Sequence, residues 1–139
     1  MIVLTGQPRT KKNSKNCYCV RMTEAQAAKS KRRCGMRPVV THPPRLKLYV
    51  ESILWQLNQC HERHTGPIAV QAQYWLKDRK SWPDLIGLLQ ATSDILQTAG
   101  IIENDRDIVS YDGSRIMGID RQNPRVEITI TESLERGNQ

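Results

Sequence analysis

The apolar residues of this chain change period twice within about fifty positions, and that switch limits the fold more than any other feature. Leu46, Tyr49, Val50, Ile53, Leu54 and Leu57 recur at three- and four-residue spacing, which predicts an amphipathic helix over about Pro44–Cys60. Ile68, Val70, Ala72 and Tyr74 then alternate with Ala69, Gln71 and Gln73, the period of a strand with one buried face. Helical spacing returns at Leu85, Leu88, Leu89, Thr92, Ile95, Leu96 and Ala99, predicting a second long helix over about Pro83–Ala99 that Gly100 closes. A helix cannot hide its stripe alone, nor a strand its face, so the expected solution is helices layered on a sheet.

The flanking segments fit that plan. Ile2-Val3-Leu4 reads as a first strand ended by the turn Gly6-Gln7-Pro8-Arg9. Cys17-Tyr18-Cys19-Val20 reads as a short edge strand, Thr23 to Lys31 as a turn or two of helix, Cys34 to Pro38 as loop, and His42-Pro43-Pro44 as a break. Beyond the second helix, Ile108 to Tyr111, Ile116 to Ile119 and Val126 to Ile130 read as strands, before a polar tail over about 133–139. With 139 residues and neither an internal repeat nor a linker, the expectation is one α+β domain over 1–139, a mixed sheet with two main helices packed on it. Phe is absent, so Ile, Leu, Val and Trp must fill the core.

No run approaches the roughly 20 apolar residues of a membrane helix. Met1-Ile2-Val3-Leu4 is too short for the apolar part of an export signal, so the expected location is cytoplasmic. Cys17, Cys19, Cys34 and Cys60 are then expected to be free thiols. One residue separates Cys17 from Cys19, which is unlike the spacing of common zinc knuckles. The chain has no glycine-rich nucleotide loop, no HExxH and no serine-nucleophile elbow. His42, His61 and His64 read as ordinary surface or junction residues.

The net charge is +7, but it is unevenly placed. Lys11, Lys12, Lys15, Arg21, Lys29, Lys31, Arg32, Arg33, Arg37, Arg45 and Lys47 crowd the first third, with Glu24 the only acid among them. From Asp84 onward acids accumulate, including Asp94, Glu103, Asp105, Asp107, Asp112 and Asp120. A basic stretch attracts phosphates, or is simply a solvated face. Acids on the same small domain suggest a divalent cation. Glu103, Asp105 and Asp107 lie at alternate positions and would share a face if extended; otherwise they form a polar connection. Ser81-Trp82-Pro83-Asp84 also reads as a capping box with Ser81 as N-cap, so Asp84 is either a cap or a ligand. Asp94, beside the apolar stripe, reads as structural.

Three stretches, in order, resemble the RusA family of Holliday junction resolvases, which prophages often carry. Gly6-Gln7-Pro8-Arg9-Thr10-Lys11-Lys12-Asn13-Ser14 resembles its Gly-x-Pro, Lys-Lys-Asn-Ser opening. Pro83-Asp84-Leu85-Ile86-Gly87-Leu88-Leu89-Gln90 resembles its Pro-Asp-Leu-Asp-Asn-Leu-x-Lys helix start. Ala99-Gly100-Ile101-Ile102-Glu103-Asn104-Asp105 resembles its glycine, two apolar residues and Asp-Asp. The resemblance implies a RusA-like fold and a homodimer with a Mg²⁺ site in each subunit, where Mn²⁺ can substitute. It also implies paired cleavage of four-way DNA junctions that leaves 5′ phosphate and 3′ hydroxyl ends. It assigns catalysis and metal binding to Asp84 and Asp105; Glu103 and Asp107 are separate candidate ligands, able to compensate for a missing carboxylate.

Lys77, Arg79 and Lys80, just before Asp84, are candidate phosphate contacts, as are Lys11, Lys12, Asn13, Lys15, Lys31, Arg32 and Arg33. Trp82 either stacks on an exposed base or packs the base of the helix. Two positions depart from the family pattern: Ile86 replaces an Asp and Gln90 replaces a Lys. An isoleucine cannot ligate a metal. Three classes of function therefore stand: a junction endonuclease, a catalytically impaired DNA binder on the same scaffold, and a protein-binding module whose basic segment is only solvated.

Overall fold

The alternation that starts at Ile68 runs on to Leu76 and makes the central strand. The computed structural model describes residues 1–10, 16–29, 36–41, 44–80 and 82–133. In chain order these form β1 (Ile2–Thr5), β2 (Asn16–Arg21), α1 (Glu24–Lys29), β3 (Met36–Thr41), α2 (Pro44–Asn58), β4 (Ile68–Leu76) and α3 (Leu85–Thr98). A 3₁₀ turn (Asp105–Asp107), β5 (Ile108–Ser110), β6 (Arg115–Ile119) and β7 (Arg125–Glu132) follow. The result is a mixed α+β domain: a five-stranded sheet with two main helices packed on it, and a separate β2–β3 pair.

β4 pairs antiparallel with β7, from Ile68 opposite Glu132 to Trp75 opposite Arg125, and β7 pairs antiparallel with β1. On its other edge β4 takes β5 near its start and β6 near its end, both parallel. A parallel neighbour needs a crossover, and α3 supplies it between β4 and β5. Ile68, Val70, Ala72, Tyr74 and Leu76 are fully buried on one face of β4. Ile2, Leu4, Val126 and Ile128 of the flanking strands continue that face, and Ile53 and Leu57 of α2 and Leu88, Ile95 and Leu96 of α3 join it in one core. Each large apolar side chain so buried contributes roughly 1.5–3 kcal/mol. On the opposite face Arg125 stacks over Trp75 at 4.0 Å and is held by Asp120 Oδ2 at 3.0 Å and Glu127 Oε1 at 2.8 Å.

Several local expectations need correction. α3 starts at Leu85 rather than Pro83, because Asp84 keeps extended dihedrals (φ −76°, ψ 143°) that no α-helix accommodates. α2 ends at Asn58, short of Cys60. Met36 to Pro38, expected as loop, belong to β3, whose register runs from Met36 opposite Arg21 to Thr41 opposite Asn16. Pro38 is tolerated there because both strands of a two-stranded sheet are edges. Asp105 and Asp107 lie in a 3₁₀ turn, not on an extended segment, since Asn104 Oδ1 accepts from the Arg106 amide at 3.0 Å and tightens the chain. The short helix α1 is real and opens on a reciprocal cap: the Gln26 amide donates to Thr23 Oγ1 and the Thr23 amide to Gln26 Oε1. Among the described residues no helix is long and apolar enough to cross a membrane.

Candidate active site

α3 is the element on which the candidate residues depend. Its first residues follow the exposed turn Lys77 to Lys80, where Asp78 Oδ1 accepts from the Lys80 amide at 2.9 Å. Lys77, Arg79 and Lys80 are all exposed, and so is Asp84. Asp84 is itself the N-cap residue, which displaces Ser81 from the expected role; its side chain makes no capping hydrogen bond, although its carbonyl accepts from the Leu88 amide at 3.1 Å. Trp82 is 52% exposed, so it does not pack the base of the helix as a core residue would.

The loop after β1 meets this helix. The side chain of Gln7 accepts from the Lys77 amide. Thr10 reaches the first turn of α3, where its methyl and the Asp84 carboxylate both border Gly87. Arg9 lies farther along the helix, lining with Asp94, Thr98, Ala91, Ile95 and α2 residues a cavity of about 60 Å³. Tyr49 also lines it. Burial pushes the Tyr49 phenol above its usual range, and the Arg9 guanidinium opposes that push.

The third stretch arrives from the other end of α3. Gly100 turns the chain, Ile101 and Ile102 bury, and Glu103 emerges exposed. Asp105 is exposed and Asp107 half-buried. Burial raises the Tyr111 phenol; its hydrogen bond with Ser93 opposes this, and the Asp105 and Asp94 carboxylates add to the rise. Asp94 and Asp105 thus share a neighbour. Asp84 lies ten positions before Asp94, about 15 Å along the helix axis. Among the described residues no three Asp, Glu, His or Cys side chains gather into a metal cage.

Lys11, Lys12, Asn13, Lys15, Lys31, Arg32 and Arg33 lie outside the described residues, as do Ser81, His42 and Cys34. Cys60 is a half-buried free thiol. His64 is not an ordinary surface residue: both ring nitrogens are buried without a hydrogen-bond partner, and Glu62 Oε2 lies 3.7 Å from Nε2. The sequence did not foretell Arg9 beside Asp94, Thr10 bordering Gly87 with Asp84, or Tyr111 between Asp94 and Asp105. Their only signal was that Arg9 and Thr10 sit inside the first motif. A scan against protein-family models and a search of curated proteins both give no match.

Proposed function

We propose that this chain is a Mg²⁺-dependent, structure-selective endonuclease that resolves four-way DNA junctions by paired phosphodiester cleavage, as its resemblance to the RusA family implies. One observation carries the reading. The three stretches behind that resemblance, with some seventy and about eight residues between them, all border α3: Arg9 and Thr10, then Asp84, then Asp105 through Tyr111.

The donor set fits Mg²⁺ in its looser mode, in which one or two carboxylates act with water and a substrate phosphate and no protein cage is needed. Asp84 and Asp105 would hold the ion, with Glu103 and Asp107 as neighbouring oxygen donors. Asp84 stands about 15 Å along α3 from Asp94, and Asp105 shares with Asp94 the neighbour Tyr111, so this requires the partner subunit of the homodimer to bring one acid to the other. When bound, the ion supplies Lewis-acid polarisation of the phosphate and a more acidic water. Lys77, Arg79 and Lys80 hold adjacent phosphates and fix the register of the DNA without reading its bases. Paired cuts across a junction need two symmetry-related sites, which a homodimer provides. A DNA substrate also fits a cytoplasmic protein.

A second reading has its own observation. Ile86 is 77% exposed and Gln90 is exposed, so neither departure from the family pattern is explained by packing. A chain lacking that carboxylate and lysine would bind junctions without cutting them. The deciding experiment incubates a labelled four-way junction with the protein in Mg²⁺ or Mn²⁺. Cleavage is expected, with Asp84→Asn and Asp105→Asn each losing roughly 100-fold or more while binding persists. Ile86→Asp should raise the rate if the ligand set is incomplete. Tight binding without cutting at any metal concentration supports the second reading, and binding indifferent to salt removes both.

A further inference from the structure

Aspartate at an N-cap ordinarily accepts a hydrogen bond from the second or third amide of its helix. Asp84 occupies the N-cap of α3 and makes no such bond. Its carboxylate lies instead over the third helical residue. A Cβ placed on Gly87 would sit 2.7 Å from Asp84 Oδ1, 3.3 Å from Asp84 Cγ and 3.1 Å from Thr10 Cγ2. The shortest of these is closer than a Cβ and an oxygen can approach, so the carboxylate fills the space where any other residue would begin its side chain. No left-handed angle calls for glycine here: Gly87 lies within α3, and it is not among the glycines with positive φ. Glycine weakens a helix relative to alanine, so the position is poor for stability and needs another explanation.

We infer that Gly87 is a positioning residue for Asp84. Its missing side chain leaves the space that the carboxylate occupies against the first turn of α3, and the Thr10 methyl closes another side of that space. The catalytic consequence rests on the nuclease reading, whereas the geometry does not. A methyl group at position 87 evicts the carboxylate from its seat while improving the helix beneath it. Stability and function should therefore move in opposite directions.

The test compares wild type, Gly87→Ala, Thr10→Ser/Gly87→Ala and Asp84→Asn in three assays. The first reads the Asp84 χ1 rotamer from three-bond couplings in isotope-labelled protein. The second titrates Mn²⁺ alone, without DNA, by water-proton relaxation. The third measures single-turnover cleavage of a four-way junction. Gly87→Ala is expected to melt at or above the wild-type temperature, to change the Asp84 rotamer and to bind Mn²⁺ several-fold more weakly. Its cleavage should fall about tenfold to a hundredfold. The double variant, whose serine gives the new methyl room on the Thr10 side, should recover part of both losses; an equal deficit overturns the part assigned to Thr10. An unmoved Asp84 rotamer in Gly87→Ala overturns the inference whatever the cleavage result. Full cleavage by Asp84→Asn sinks the catalytic role of Asp84 instead, so the two failures are separable.

Discussion

Tyr74 and Thr92 join hydroxyls at 2.7 Å within the apolar core, with Tyr74 only 1% exposed. Removing one partner strands the other away from water. Tyr74→Phe should therefore cost about 1–2 kcal/mol, read as a lowered urea midpoint with unchanged slope. Replacing both, as Tyr74→Phe/Thr92→Val, should recover most of that loss, because two apolar groups of similar shape leave no orphan. The inward side of Tyr74 could be read from its place in the β4 alternation, since burial on a strand follows the period of the chain. The neighbours of charged residues could not. Arg9 meets the Asp94 region across more than eighty residues, and Thr10 and Asp84, more than seventy positions apart, both border Gly87. No local pattern marks which charge meets which. The expected capping box failed for a related reason: it treated Asp84 as a third-position acid, while the backbone makes it the cap.

The C-terminal turn of α3 could be read as an element because its stop signal is chemical. Gly100 sits at φ +71°, its amide donating to Gln97 O and the next amide, of Ile101, to Leu96 O. Buried Ile101 and Leu96 complete this Schellman closure. Arg63 donates to the carbonyls of Ala99 and Gly100, tying the segment before β4 to the same turn. Gly100→Ala forces a Cβ into the left-handed region and against the Arg63 guanidinium. It should cost about 1–2 kcal/mol and lower the melting temperature by several degrees. Gly100→Asn should lose less, because asparagine tolerates that region. β3 was not legible in this way. Its Pro38 argues against a strand locally, and only pairing with β2 makes it one. The 3₁₀ turn at Asp105 was hidden too, since it depends on the Asn104 side chain bonding back to the chain rather than on any period.

Across the whole molecule, the layered α+β class followed from apolar periods, but the strand order did not. The same patterns permit other sheets, and what makes β4 central is its long register with β7 together with the parallel docking of β5 and β6. Charge is the other property of this scale. The chain carries +7 overall, and Lys77, Arg79 and Lys80 stand exposed just before the head of α3. A protein that neutralises phosphates releases counterions, so the logarithm of its DNA affinity falls linearly with the logarithm of salt, by about 0.9 for each phosphate on duplex DNA. If these three cations contact junction phosphates, replacing all three with alanine should flatten that slope by about 2–3. The substitutions lie on the surface, so the melting temperature should hardly change. The measurement is a fluorescence anisotropy titration of a labelled junction at several salt concentrations, for wild type and the triple variant. An unchanged slope would remove these three cations from the proposed DNA path, and the proposed site at Asp84 would lose the phosphate contacts meant to bring a scissile bond to it.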